Sequence, residues 1–415
     1  MVNVNQTTGI EPHAQLRVLT VTTLYPNRAQ PSHGIFVESR LRQLVATGSV
    51  EASVLAPVPW FPLQQPMFGR YARYATVPRF EVRHGISVAH PCYLAIPKVG
   101  AAVAPLLLGI ALLRELRALA AAGRSFDLID AHYFYPDGVA AAWVAHRVGM
   151  PVVITARGTD LSHFVPHHPA ARQMIKRAAH RADGLVTVCQ ALKDVLVDLG
   201  IPETRVRVLR NGVDLDLFRP LERSVIRRDL GLSRPTLLCV GHLIERKGVD
   251  VAIGALAQIP DADLLIVGEG PERQALKALA DRIGVAGRAR FLGPVVHEEL
   301  PRIYNAADAL ILASSREGWA NVLLEAMACG TPVIASRVWG TPEVVGAPAA
   351  GILVDDRTPP AFAAAACRLF AEQPDRAATR AYAERFSWDA TTQGQLALFR
   401  SVIAQSTRRR MGPAA

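Results

Sequence analysis

The chain has 415 residues, too many for one ordinary hydrophobic core, so two domains are predicted. Half of the residues are hydrophobic and 20% are charged, which excludes a disordered chain; Gly and Pro recur without a period, which excludes collagen-like and solenoid architectures. The formal charge of +10 is concentrated at the front: residues 1–210 hold 22 Lys+Arg against 13 Asp+Glu, a balance suited to anionic lipid or phosphorylated substrates, and with no zinc-finger, aromatic RNA-binding or basic-fork pattern no nucleic acid partner is expected.

Met1 to Gln15 is polar and lacks a basic start followed by an apolar run, so no secretory signal is predicted. Val18 to Thr23 reads as a buried strand, followed by a Pro/Gly-rich loop from Tyr25 to Gly34 and a helix from Phe36 to Ala46. Val50 to Ala56 is the next strand, and Pro57 to Arg79 reads as a long loop rich in Pro and aromatics. Ala101 to Leu113 is the longest apolar stretch, shorter than the ~20 residues of a membrane span. It reads as a buried helix or as one lying on a membrane surface, and it overlaps a helix predicted from Leu106 to Ala121. Strands at Leu128 to Ala131, Pro151 to Thr155 and Gly184 to Val188 alternate with helices at Val139 to Val148, Ala170 to Arg181 and Ala191 to Leu199, which predicts a parallel sheet covered on both faces.

Arg207 to Val213 reads as a strand running into an Asn-Gly turn, and the domain junction is placed there. The pattern then restarts. Strands are predicted at Thr236 to Val240, Leu264 to Val267, Arg290 to Leu292, Ala309 to Leu312 and Pro332 to Ala335. Helices are predicted at Val249 to Leu256, Glu272 to Ile283, Leu300 to Ala306, Asn321 to Ala328 and Thr341 to Val345. The expected organisation is an α/β chain of two Rossmann-like, doubly wound domains facing across a cleft, covering residues 1–212 and 213–387. A final helix in 388–415 crosses back to the first domain, with Arg408 to Arg410 as a frayed basic tail. The five cysteines form no CxxC pair and are predicted to be buried free thiols.

The strongest local signal runs from Ser314 through Glu317, Gly318, Trp319, Ala320, Asn321, Val322 and Glu325 to Pro332. It leaves a strand, crosses a loop and enters a helix whose first N–H groups suit a diphosphate. A carboxylate set among apolar residues, as Glu325 is, needs hydrogen-bond partners, and ribose hydroxyls qualify. The Gly268-Glu-Gly270 run is not a dinucleotide fingerprint, because Pro271 and Arg273 occupy positions that pattern cannot accept; it reads as a strand-to-helix turn beside a nucleotide. In the first half, Gly34 sits after the first strand, where it permits close approach to phosphate or sugar or serves as a plain turn. His132 and Arg157 lie at strand ends, and an Arg there suits an anionic donor or acceptor. No Asp-x-Asp pattern stands at a strand end, so no metal is expected.

Glu317 and Glu325 form an E-x7-E pattern. With Asn211-Gly-Val-Asp214, Gly241-His-Leu-Ile-Glu-Arg-Lys-Gly248, Leu265-Ile-Val-Gly-Glu-Gly270 and Phe386-Ser-Trp388, the chain resembles the family-four retaining glycosyltransferases of the GT-B fold over nearly its whole length. The resemblance implies that Glu317 holds the transferred sugar, Glu325 the nucleotide ribose, and Lys247 the charge of the diphosphate leaving group. Gly318 to Val322, Gly241, Arg246, Gly268, Val295 and Gly34 would complete the donor site, and His132 would touch the sugar near the reacting carbon. Arg157 and Asp160 would contact acceptor or sugar. The family usually has Arg at His242 and His at Arg157; the first departure puts one diphosphate contact in question, and Arg246 is placed to replace it.

The implied reaction is a metal-independent, retaining transfer by front-side displacement from a nucleotide-diphosphate sugar, without a cofactor and without a protein nucleophile. UDP-sugar is the first expectation and GDP-sugar the second. Leu24-Tyr-Pro-Asn27 and Asp130-Ala-His-Tyr-Phe-Tyr-Pro-Asp137 resemble the teichuronic-acid and exopolysaccharide branch. That branch implies a saccharide or polyprenyl-diphosphate-linked acceptor, and a cytoplasmic protein peripheral at the inner face of an anionic membrane. The alternatives are a GT-B-type nucleotide-sugar epimerase or hydrolase, and a non-catalytic nucleotide-binding protein.

Overall fold

The computed structural model describes residues 15–60, 73–95 and 100–411. The signal-peptide reading of Met1 to Gln15, except its last residue, and residues 61–72 of the predicted long loop lie outside them.

Strands in chain order are β1 (Leu16–Val21), β2 (Val50–Leu55), β3 (Val58–Trp60), β4 (Phe80–Arg83), β5 (Ile86–Ala89), β6 (Cys92–Leu94), β7 (Leu128–His132), β8 (Val152–Ala156), β9 (Gly184–Thr187), β10 (Val206–Val208), β11 (Thr236–Val240), β12 (Asp263–Val267), β13 (Ala289–Gly293), β14 (Ala309–Leu312), β15 (Val333–Ser336) and β16 (Gly351–Val354). Eight form a sheet in the order β10-β9-β8-β7-β1-β2-β5-β4, six form a sheet in the order β13-β12-β11-β14-β15-β16, and β3 pairs with β6. The pairings of the six-stranded sheet are all parallel. β7, β8, β9, β11 and β14 are buried along their whole length, as apolar runs covered on both faces must be. By internal contacts, one compact unit contains the chain up to His132, Pro136–Ile154 and the chain from Leu396; the other contains Tyr133–Tyr135 and Thr155–Gln395. The eight- and six-stranded sheets are the two Rossmann-like parallel-sheet arrangements that the alternation predicted; β9 and β10 of the first fall in the second compact unit.

The differences are local. Residues 80–94 carry three strands, of which β4 and β5 form an antiparallel hairpin pairing Arg83 with Ile86. His84 and Gly85 between them both take positive φ, 49° and 80°, which matches the twist of a two-residue hairpin turn. Asn211-Gly212 is not the turn expected from its sequence. A Cβ on Gly212 would lie 2.6 Å from the Trp388 nitrogen, and Val213 donates its N–H to the Phe386 carbonyl at 2.9 Å, so this glycine admits a neighbouring backbone. The last helix spans Asp389–Met411, so Arg408 to Arg410 continue it rather than fray. All five cysteines are free, but Cys92 and Cys367 are exposed and only Cys189, Cys239 and Cys329 are buried.

The apolar stretch at Ala101 belongs to the helix Gly100–Ala121, which divides its faces. Leu108 and Leu112 are buried, and a Cβ on Gly109 would meet the Trp143 ring at 2.8 Å, so that face lies on the helix Val139–Val148. Leu106 and Ile110 are 54% and 52% exposed. No helix among the described residues is long and apolar enough to cross a membrane.

Candidate active site

In the six-stranded sheet the strand order reverses between β11 and β14, and open α/β sheets bind ligands in the crevice at such a point. The loops leaving β13, β12, β11 and β14 carry, in that order along the edge, Val295, Gly268, Gly241 to Lys247, and Glu317. Most of the donor residues expected from the sequence therefore share one sheet edge.

The loops after β11 and β14 are locked together. Lys247 ends a short 3-10 turn, and Gly248 follows with φ 66°. A Cβ there would stand 2.0 Å from the Ala313 carbonyl oxygen, so both the torsion and the space demand glycine. Arg246 Nη1 donates to the Arg316 carbonyl at 2.7 Å, and the Ser315 N–H donates to the Arg246 carbonyl at 2.9 Å. Gly248→Ala is expected to lower stability by about 3 kcal/mol through strain and overpacking, read as a fall in the urea midpoint. An unchanged midpoint would show that the two loops part freely.

This lock sets the charged centre. Lys247 Nζ donates to Glu317 Oε1 at 2.6 Å, and the Ser314 hydroxyl donates to the same oxygen at 2.7 Å. Arg246 Nη1 lies 3.7 Å away, and the Glu317 side chain is only 8% exposed. Burial alone would push this carboxyl up; the charges of Lys247 and then Arg246, with the two hydrogen bonds, outweigh it and hold Glu317 below the usual carboxylate range. The centre is an ionised carboxylate with two cations beside it, facing the start of the helix Asn321–Ala328 in sequence. No side chain caps that helix at Ala320, so its first-turn N–H groups keep their anion-binding character.

Glu325 is on the same helix and only slightly exposed. Tyr304 Oη donates to its Oε2 at 2.7 Å, and His297 Nε2 lies 3.6 Å from its Oε1. Burial would lower the His297 pKa; the hydrogen bond and charge of Glu325 raise it above its ordinary value. Burial, and then Glu325, keep Tyr304 protonated as a donor. The partners that a carboxylate among apolar residues needs are thus partly supplied by the protein. Tyr304 had no role in the sequence reading: it belongs to no spacing pattern, and only the meeting of two helices exposes it. Ser314 opened the motif, but its hydroxyl was given no role there.

A second pair of loops meets after β8 and β14. A Cβ on Gly318 would lie 2.2 Å from the Arg157 carbonyl oxygen. Arg157 is buried, and its Nη1 donates to Asn211 Oδ1 at 2.9 Å, while Asn211 Nδ2 donates to Asn321 Oδ1 at 3.2 Å. Asp160 is fully buried and accepts the backbone N–H groups of Phe134 (2.7 Å), Arg157 (3.0 Å) and Gly158 (2.6 Å). Both its oxygens clamp the backbone of these loops. Trp319 is nearly buried beside Phe386, with ring centroids 6.1 Å apart. His242 is exposed, and Val295 is half-buried.

His132 and Gly34 belong to the other compact unit. His132 ends β7, and its Nε2 lies 3.0 Å from Asp130 Oδ2, both buried. Arg40 is buried too; burial pushes its pKa down to about 10 against the opposing charge of Asp130. The chain then takes φ 80° at Tyr133, an uncommon torsion for a residue with a side chain. Gly34 has φ 70°, and its Cβ position falls 2.3 Å from the Leu24 carbonyl carbon, so its close approach is to its own chain.

Among the described residues no group of three or more His, Cys, Asp or Glu side chains could hold a metal ion. The chain thus holds two doubly wound sheets, with a carboxylate flanked by two cations at the switch point of one of them. Residues 222–386 match the model of glycosyl transferases group 1, and residues 71–217 match that of glycosyltransferase family 4. The chain is 30% identical over 428 residues to D-inositol 3-phosphate glycosyltransferase 1 of Catenulispora acidiphila, covering 95% of this chain and 97% of that protein. It is 34% identical to the D-inositol 3-phosphate glycosyltransferase of Acidothermus cellulolyticus, covering 68% of each. Among solved structures, sucrose-phosphate synthase from Thermosynechococcus elongatus superposes with a TM-score of 0.75 at 21% identity, covering 94% of this chain and all of that one. Anabaena HepE in complex with UDP-glucose gives a TM-score of 0.70 at 21% identity, covering 93% and 100%. The chain belongs to glycosyltransferase family 4. Both of these sequence relatives are inositol-phosphate enzymes by name, so they do not carry the exopolysaccharide branch expected from the sequence.

Proposed function

We propose that this glycosyltransferase moves a sugar from a nucleoside-diphosphate sugar to an acceptor with retention, without a metal. UDP is the first choice of nucleotide and GDP the second. The observation that carries the reading is the Lys247–Glu317 pair, 2.6 Å apart, at the switch point. Lys247 and Arg246 are placed to take the diphosphate charge with the N–H groups of the helix Asn321–Ala328, and Glu317 to hold a sugar hydroxyl. Glu325, with Tyr304 and His297 behind it, suits the ribose. The departing phosphate deprotonates the acceptor on the same face, so no protein nucleophile is needed.

The acceptor is a saccharide, free or linked to a polyprenyl diphosphate at the inner membrane face. The exposed Leu106 and Ile110, followed on the same helix stripe by exposed Arg114 and Arg117, support peripheral contact with anionic lipid. A second acceptor reading, a phosphorylated cyclitol, is favoured by the names of the relatives.

A thermal-shift panel of UDP, GDP, ADP and NAD, followed by transfer assays in EDTA, tests the reading. Stabilisation by one nucleoside diphosphate and full turnover in EDTA are expected. Stabilisation by NAD alone would overturn the donor assignment, and an absolute Mg²⁺ requirement would overturn the metal-independent mechanism. Donor loss without any acceptor would favour an epimerase or hydrolase. Co-sedimentation with phosphatidylglycerol vesicles, lost in Leu106→Glu/Ile110→Glu, reads the membrane contact; equal pelleting of that variant would sink it.

A further inference from the structure

The loop after β8 leads through two short helical turns, Thr159–Ser162 and Phe164–His167, into the helix Pro169–Arg181, and it gathers three histidines. The His163 ring stands 5.1 Å from that of His167 and 5.4 Å from that of His168, centroid to centroid. Phe164 packs against both His163 and His168, and on Tyr135 at 4.8 Å, which gives the cluster an apolar floor. Arg316 reaches this cluster from the loop after β14, its Nη1 lying 3.3 Å from His163 Nδ1.

With His163 neutral its Nδ1 accepts from Arg316; once protonated, it and Arg316 would repel one another unless an anion lay between them. Among the described residues no Asp or Glu forms an ion pair with Arg316 or with any of the three histidines. The carboxylates on these two loops are already engaged, Asp160 by three backbone N–H groups and Glu317 by Lys247 and Ser314. We propose that Arg316, His163, His167 and His168 form a binding site for an oxyanion, a phosphate or carboxylate carried by one of the two substrates.

Arginine is suited to that task because its planar donor fork stays charged at every working pH. Arg316 immediately precedes Glu317 in the chain, and the assignment of the anion to a substrate rests on the donor reading given above. His163 makes the site pH-sensitive. Burial first, then Arg316, His167 and His168, lower the His163 pKa. These three are the charged or titratable groups that face it, and no carboxylate is among them. A bound oxyanion reverses that repulsion, so binding takes up a proton and tightens as pH falls.

The test keeps the donor and anion sites apart. With UDP saturating, inorganic phosphate is titrated calorimetrically into the full-length protein and into Arg316→Gln. Saturable binding is expected, about tenfold tighter near pH 6 than near pH 8 and about tenfold weaker in the variant. UDP affinity should be the same in both proteins, which also shows that Arg316→Gln is folded. Two substrate pairs then identify the carrier: myo-inositol 1-phosphate against myo-inositol for the acceptor, and UDP-glucuronate against UDP-glucose for the donor sugar. A preference for the anionic member that disappears in Arg316→Gln assigns the site to that substrate. Phosphate binding that is absent, or equal in both proteins, overturns the proposal. Failure of UDP to bind would instead remove the donor reading, and the phosphate titration would still report on the cluster.

Discussion

Lys247→Met is expected to lower kcat by about 10²–10³-fold, the range seen when one preorganised partner of developing charge is removed. The diphosphate gains negative charge as the glycosidic bond breaks, so a cation there stabilises the transition state more than the bound donor. KM should therefore change much less than kcat. The side effect is calculable in sign. Lys247 is the largest charge offsetting the burial of Glu317, so its loss raises the Glu317 pKa and weakens the fold. The sign follows from linkage: a carboxyl held below its unfolded value contributes stability that is present at neutral pH and lost as pH falls through its folded pKa. Lys247→Met should shrink that acid-side loss. Methionine fills the volume, and Arg246 at 3.7 Å remains, so the variant should still fold. Steady-state kinetics with the chosen donor decide the matter. Wild-type kcat in a folded variant would remove Lys247 from the reaction.

The sequence made the alternation of the sheet strands legible because each is a short apolar run between turn residues, and a parallel sheet buried on both faces needs just that. The Glu317 and Glu325 spacing was legible through its resemblance to the family-four pattern, not through periodicity. What it concealed are pairings between distant segments. Arg157 meets Asn211 across 54 positions, and Tyr304 meets Glu325 from a separate helix. Gly212 looked like a turn because Asn-Gly is a strong turn signal, whereas its cause is the backbone of Trp388 pressed against it. Asp160 shows the opposite case. The resemblance implied a contact with acceptor or sugar, while in the structure three N–H groups converge on it, and burial raises its pKa despite them. The β4–β5 hairpin went unread because His-Gly is a weaker signal than Asn-Gly for a turn with two positive φ values.

Glu325→Gln is expected to abolish most of the stabilisation that UDP gives the wild type, about 2.7 kcal/mol at roughly 100 times the dissociation constant. Glutamine is chosen over alanine for a structural reason. Tyr304 is fully buried and donates to Oε2 at 2.7 Å; alanine would leave that hydroxyl unsatisfied at a cost of about 1–3 kcal/mol and confuse lost binding with lost folding. The glutamine carbonyl keeps the Tyr304 bond and removes only the charge and one acceptor oxygen. Ribose hydroxyls, as donors, lose their anionic partner. A second readout comes from His297, where burial acts to lower the pKa and the hydrogen bond and charge of Glu325 overcome it. In Glu325→Gln that pKa should fall, because burial then acts with little opposition. A histidine raised in this way contributes stability that is fully present below its unfolded pKa and lost as pH rises through the folded value. The unliganded wild type should therefore lose slightly more stability than Glu325→Gln on passing from pH 6 to pH 8, while the two differ most in the presence of UDP. Parallel thermal melts with and without UDP measure both effects. A UDP shift of full size in Glu325→Gln would place the ribose elsewhere on the edge formed by β12, β11 and β14.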